Sequence, residues 1–348
     1  MRIEEIDKNF LVDSAVTDDD VIWFDIRNEI FDIYGLYNPR TEERFHRLPK
    51  EVYEKCNVGV GAMQNHTAGG RVRFKTDSPY ICIKVKYRRA QFPTKMPLVG
   101  YAGFDLYFQK NGEIVYLKSI IPKAEDTDGF ERKINVSSDL EDYIINFPLY
   151  NGVDELYLGF KKGSVVEHGE KYAIDRPIVF YGSSITQGGC ASRPGNAYQG
   201  FISSRFNANF INLGFSGSAK GEEAIAKYIS GLEMSAFVYD YDYNSPSKAE
   251  YEQTHEPFFK IIREAQPNLP IIIVTRPYPW YLTRIEIARR TYENAVAAGD
   301  KNVVFVDGRD LFGEELKTCC TVDGCHPNDL GFYRMGKVIG DALEKFLK

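Results

Sequence analysis

The 348-residue chain has no apolar run able to cross a bilayer. Its longest aliphatic stretches, such as Ile271–Val274, are a few residues long, where a spanning helix needs about 20. It has no excess of positive charge: 43 Lys and Arg stand against 49 Asp and Glu, a formal net charge of −6, which excludes the basic footprint of a nucleic-acid binder. Its six cysteines include no Cys-x-x-Cys pair and follow neither a disulfide-scaffold nor a zinc-ribbon spacing, so free thiols are expected. Among five histidines there is no His-x-His and no His-Glu-x-x-His, so the expectation is no metal and no cofactor. The opening residues MRIEEIDKNF lack the basic region and apolar core of a secretory leader. A cytoplasmic location away from membranes is therefore the expectation. No internal repeat or low-complexity tract is visible.

What is there is a globular composition, 43% hydrophobic and 26% charged, at a length suited to two domains. The first half reads as β. Ile81, Ile83, Val85 and Tyr87 alternate with Cys82, Lys84 and Lys86, and Phe104, Leu106 and Phe108 alternate in the same way. Asn111-Gly112 offers a type I′ turn into a partner strand at 114–117. Further strands are expected at 72–74, 143–147 and 156–160, the last two separated by Asn151-Gly152. Many short strands with turn signals imply an all-β sandwich or jelly roll over 1–165. A polar connector is placed at 166–176. The rhythm then changes. Apolar segments at 178–181, 210–213, 237–241, 271–275 and 303–306 alternate with helical ones, which predicts an α/β domain over 177–348 with a parallel sheet flanked by helices. Met335, Ile339, Leu343 and Phe346 mark the buried stripe of the last helix. His255 reads as a residue on a helix surface.

Ligands of open parallel sheets bind beyond the carboxyl ends of the strands, so the residues there carry the functional reading. After the first strand, Gly182-Ser183-Ser184-Ile185 can project a hydroxyl beside free N–H groups at a helix start. It reads equally as a small-residue turn with capping serines. After the second comes Gly214-Phe215-Ser216-Gly217-Ser218, one glycine short of the Gly-x-Ser-x-Gly elbow, which leaves Ser216 as a second candidate nucleophile. After the third comes Asp240-Tyr241-Asp242-Tyr243-Asn244, whose Asn244 amide can donate to an oxyanion or cap a turn. The two aspartates have no His or Glu cluster to complete a metal site. Near the end, Asp323 precedes His326 by three residues, a spacing that lets a carboxylate hold Nδ1–H and leave Nε2 as a base.

Together these four segments resemble the SGNH, or GDSL-type, hydrolase superfamily, whose sequence blocks contribute Ser, Gly, Asn and His in that order. The matching positions are Ser184, Gly217, Asn244 and His326, with Asp323 in the family's Asp-x-x-His, and the resemblance spans about 176–348. The first block reads Gly-Ser-Ser-Ile where the family often has Gly-Asp-Ser-Leu. In the third block Asp242 replaces a glycine and Ser245 an aspartate. The run 182–195 resembles bacterial members that carry an N-terminal β-sandwich. The resemblance implies a flavodoxin-like three-layer catalytic domain and a serine esterase with Ser184, His326 and Asp323 as triad. The N–H groups of Ser184 and Gly217 with the Asn244 amide would form its oxyanion hole. A small-molecule or oligosaccharide ester, an acetylated sugar above all, is the substrate it implies. Arg193, on the loop after the nucleophile, reads equally as a contact to a polar substrate or as one partner of a surface salt bridge. An acyltransferase using the same site and a non-catalytic carbohydrate-binding protein are the alternatives. The sandwich is expected to pack on the catalytic domain and border its active site.

Overall fold

The computed structural model describes residues 16–17, 19–88, 95–110, 112–277 and 282–348. Among these residues the first half forms β1 (Val21–Asp25), β2 (Asp32–Tyr34), β3 (Arg71–Thr76), β4 (Tyr80–Tyr87), β5 (Phe104–Lys110), β6 (Glu113–Ile120), β7 (Gly129–Asn135), β8 (Glu141–Asn146), β9 (Val153–Lys161) and β10 (Val166–His168). Short helices α1 (Lys50–Tyr53), α2 (Val58–Met63) and α3 (Leu98–Ala102) sit in the connections. One sheet runs β1-β9-β4-β7 and the other β10-β3-β8-β5-β6, with β2 also paired to β3. The alternation read in the sequence explains how they pack. Ile81, Ile83 and Val85 with Leu156, Leu158 and Phe160 from one sheet share a core with Val72, Phe74, Phe104, Leu106 and Ile145 from the other. β5 and β6 pair as the expected hairpin, although Asn111 of its Asn-Gly turn lies outside the described residues, as does the opening segment MRIEEIDKNF.

The second half is α/β: β11 (Ile174–Gly182), α4 (Ser184–Gln187), α5 (Tyr198–Phe206), β12 (Ala208–Gly214), α6 (Glu223–Ser230), β13 (Ala236–Asp240), α7 (Lys248–Ala265), β14 (Ile271–Val274), α8 (Leu282–Ala297), β15 (Val303–Val306) and α9 (Asp329–Leu347). All five strands are parallel in the order β12-β11-β13-β14-β15. Their continuous apolar runs serve two cores. Val179, Tyr181, Tyr239 and Ile273 point to the side covered by α6, α7 and α8. Ile178, Phe180, Val238 and Ile272 point to the side covered by α5 and by Met335, Ile339 and Leu343 of α9. No described helix is long and apolar enough to cross a membrane.

Two expectations change. The stretch 166–176 is not a free connector: β10 pairs with β3, β11 already begins at Ile174, and Tyr172 is buried with its hydroxyl accepting from Arg71 Nε at 2.9 Å. Its polar residues are mostly exposed, while 166–168 and the stretch from Ile174 onward are held by sheet pairing. His255 is buried rather than on the surface, stacked on Tyr239 at 4.9 Å and hydrogen-bonded through Nδ1 to Thr291 at 2.8 Å. It continues the stripe of Tyr251, Phe258 and Ile262 along α7.

The sandwich covers the open edge of the parallel sheet. Two buried arginines do so with guanidinium groups in place of a sixth strand. Arg71 Nη2 donates to Phe210 O at 3.0 Å, and Arg47 Nη1 donates to Asn212 O and Gly214 O at 3.0 and 2.7 Å. All three carbonyls lie on β12, the edge strand, and backbone groups buried without partners are costly.

Candidate active site

The strand order reverses at β11, which has β12 on one side and β13 on the other. Such a switch point opens a crevice at the carboxyl ends, and the four segments singled out in the sequence follow those ends. Ser184 opens α4 immediately after Ser183, which caps the helix by accepting the Ile185 N–H at 3.2 Å. Ser184 is 8% exposed. Its Oγ lies 3.0 Å from His326 Nε2. On the far side of the ring, Nδ1 is 3.0 Å from Asp323 Oδ2, which fixes the tautomer that leaves Nε2 as acceptor. The structure thus joins three residues separated by up to 142 positions into one hydrogen-bonded line.

Asp323 is held in place from several directions. Its Oδ1 accepts the backbone N–H of His326 at 2.8 Å and of Cys325 at 3.1 Å, and Lys95 from the sandwich stands 3.4 Å from Oδ2. Burial acts to raise its pKa, but the hydrogen bonds from the His326 backbone and ring and from the Cys325 N–H outweigh it and hold the carboxyl well below the usual range. It is therefore an anion at neutral pH, able to stabilise a protonated imidazole.

Gly217 is exposed, with φ of +67° and open space where a side chain would begin. It lies on the loop after β12, whose Phe215 N–H donates to Gly182 O at 2.8 Å. Asn244 is tied to the same loop: its Nδ2 donates to Phe215 O at 3.0 Å, and an amide nitrogen carries a second proton. Beneath the nucleophile turn lies buried Asp240, hydrogen-bonded by the Thr186 hydroxyl and the Ser183 N–H. Burial raises its pKa to about 8.

The other candidates are elsewhere. Ser216 is bonded through its side chain to the Tyr150 hydroxyl, and its N–H donates to Gln187 Oε1 at 2.9 Å. Arg193 faces the sandwich instead of joining Ser184 and His326. Its guanidinium stacks on Tyr116 at 3.8 Å, pairs with buried Asp105 at 3.4 Å and donates to the Tyr107 hydroxyl. A buried carboxylate and two aromatic rings hold the cation there. Among the described residues no group of three or more His, Cys, Asp or Glu is arranged to hold a metal ion. Sequence reasoning missed Tyr150, a sandwich residue whose hydroxyl donates to Ser184 O at 3.1 Å. It also missed His66, which receives a hydrogen bond from Gln187 Nε2 at 2.9 Å.

Residues 175–344 match the GDSL-like lipase/acylhydrolase family. Residues 21–166 match the family GxDLY, described as the N-terminus of SGNH-hydrolase-type esterases. Those five letters correspond here to Gly103-Phe104-Asp105-Leu106-Tyr107, the strand whose Asp105 and Tyr107 hold Arg193. A search of curated proteins finds no match. Among solved structures, a candidate GDSL-like lipase from Bacteroides ovatus is 28% identical with a TM-score of 0.82, over 94% of this chain and 98% of that one. The salicylyl-acyltransferase SsfX3 of a tetracycline biosynthetic pathway is 17% identical with a TM-score of 0.78 over the same shares. A family two carbohydrate esterase from Clostridium thermocellum, in complex with cellohexaose, is 13% identical with a TM-score of 0.61, over 90% of this chain and 98% of that one. The last two likenesses speak to the two-part fold.

Proposed function

Because the chain belongs to the GDSL-like lipase/acylhydrolase family and carries before it the N-terminal domain of SGNH-type esterases, we propose that it is a serine esterase removing short acyl groups, acetyl above all, from a carbohydrate or related small molecule. The observation that carries this reading is the line from Ser184 Oγ to His326 Nε2 at 3.0 Å and from Nδ1 to Asp323 at 3.0 Å. In it His326 takes the Ser184 proton as Oγ attacks the ester carbonyl, and Asp323 stabilises the imidazolium. The N–H groups of Ser184 and Gly217 and the second proton of Asn244 Nδ2 receive the oxyanion. His326 then protonates the leaving alcohol. Water, activated by the same imidazole, releases the acid. A carbohydrate ester is favoured by the architecture shared with the carbohydrate esterase bound to cellohexaose.

A fluorophosphonate probe should label Ser184, and Ser184→Ala should lose both the label and hydrolysis of 4-nitrophenyl acetate while melting as the parent does. A folded Ser184→Ala protein that stays active while Ser216→Ala is dead would overturn the assignment. Product analysis with added alcohols separates hydrolysis from acyl transfer, since the same acyl-enzyme serves both.

A further inference from the structure

A cavity of about 280 Å³ opens on the sandwich side of Ser184, lined by Asn65, His66, Arg88, Tyr101, Tyr150 and Asn151, all from the N-terminal half. It adjoins the reacting groups. The Tyr150 hydroxyl donates to Ser184 O, and a Cβ placed on Gly189 would meet that hydroxyl oxygen at 2.8 Å and His326 Cδ2 at 3.2 Å. Tyr150 thus reaches from the cavity wall to the nucleophile turn, with its hydroxyl beside Gly189 and the imidazole.

We infer that this cavity is a subsite for one neutral saccharide ring of the ester substrate, supplied by the sandwich to the catalytic domain. The inference rests on the esterase reading above for the bond that is cleaved, but ring binding can be measured without it. The chemistry of the lining points to a neutral polyol. Tyr101 and Tyr150 stack on each other, with centroids 6.0 Å apart and planes 27° from parallel, and form an aromatic wall suited to the apolar face of a ring. Arg88 is the one cation among the lining groups, and its charge is already matched by Asp154 at 2.8 Å, so neither an anion nor a cation is called for.

A hydrogen-bond donor remains. His66 accepts from Gln187 at Nδ1, which leaves Nε2–H as a donor within the cavity that it lines. Burial first, then the charges of Arg47 and Arg88, hold its pKa down to about 3, so the ring stays neutral. The volume lies just below the range for small-molecule pockets, about 300–1,000 Å³, which suits a single ring and not a chain.

The cavity also communicates with the reacting loops. The Ser216 N–H donates to Gln187 Oε1, and Gln187 Nε2 donates to His66 Nδ1, both at 2.9 Å. Gln187 closes the helix that Ser184 opens. A sugar hydroxyl on His66 Nε2–H thus extends a hydrogen-bonded chain that ends on the loop carrying Gly217.

The test combines binding and selectivity in the full chain. Saturation-transfer NMR and titration with methyl β-glucoside, methyl β-xyloside and methyl β-mannoside should show ring protons contacting the wild-type protein. Tyr101→Ala should weaken that binding about tenfold, and Tyr101→Phe, which keeps the ring face, should restore it. Should Tyr101→Ala not fold, Tyr101→Leu stands in, checked by its melting curve. The ratio of kcat/KM on an O-acetylated methyl glycoside to that on 4-nitrophenyl acetate should fall about tenfold in Tyr101→Ala and return in Tyr101→Phe. If 4-nitrophenyl acetate is cleaved while glycoside binding and the selectivity ratio are the same in wild type, Tyr101→Leu and His66→Ala, the subsite is wrong and the esterase reading stands. If glycosides bind through Tyr101 but no ester is cleaved, the subsite stands and the esterase reading falls.

Discussion

Nη1 of Arg47 lies 2.7 Å from the carbonyl oxygen of Gly214, so a residue of the sandwich completes the hydrogen bonding of the strand that leads into the Gly217 loop. The same side chain donates to Asn212 O and Met63 O and stacks on Phe215 at 4.8 Å. Removing it would leave the two β12 carbonyls unpaired, while Met63 O keeps the His66 N–H. Arg47→Leu should therefore cost about 3 kcal/mol or more. Arg47→Lys should recover less than half of this, because an ammonium lacks the planar fork that bridges two acceptors. Urea unfolding measures both, and an unchanged midpoint for Arg47→Leu would contradict the account.

Asn244→Ala should lower kcat on a short acyl ester by roughly 100- to 1,000-fold with a smaller change in KM, because an oxyanion donor acts mainly in the transition state. An unchanged kcat would confine Asn244 to bracing Phe215, its observed partner.

Asp240 makes stability depend on pH. Its folded pKa is raised by burial to about 8, against about 3.9 when unfolded. A group raised on folding contributes its stability fully below the unfolded value and loses it as pH rises through the folded one. The melting temperature should therefore fall between pH 5 and pH 9, and Asp240→Asn should flatten that fall. Parallel slopes for the two proteins would remove Asp240 as the cause.

Activity should survive EDTA, because every step of the proposed reaction is assigned to side chains and backbone N–H groups. Loss on chelation, restored by one divalent ion, would contradict it.

The catalytic half expressed alone from Asp175 to Lys348 should melt well below the full chain, since it would expose the β12 edge that Arg47 and Arg71 now cover. Identical melting would make the sandwich an independent module.

The parts of this protein that follow a period were legible in its sequence. β4 and β5 alternate with period two, and Met335, Ile339, Leu343 and Phe346 repeat at helical spacing; all three segments form the elements expected, with the marked faces buried except at Phe108 and Phe346, which are half-buried. Ser184, Asp323 and His326 were legible as candidates because each follows a strand end or a fixed local spacing. Arg47 and Arg71 were not, because an arginine in a loop or at a strand start reads as solvated, and only the tertiary fold shows which carbonyls need its donors. Tyr150 and His66 were hidden for a related reason: their importance lies in what the other half of the chain places beside them. His255 could have been found, since Tyr251, His255, Phe258 and Ile262 share one helical face. The polar residues around it masked that period.

Asp323 and His326 sit three residues apart on a loop closed by the Thr321–Pro327 bridge and by the Val322 N–H donating to His326 O at 2.9 Å. The carboxylate and the imidazole are therefore held together within one closed loop. Of the two contacts that define the line of three side chains, only the gap to Ser184 spans separate parts of the fold. On the proposed mechanism, a change that moves this loop acts on that one spacing. By that mechanism, a shift of this loop would stop proton transfer from Ser184 while leaving the imidazole–carboxylate pair intact, and a return of the loop would restore activity without rebuilding it.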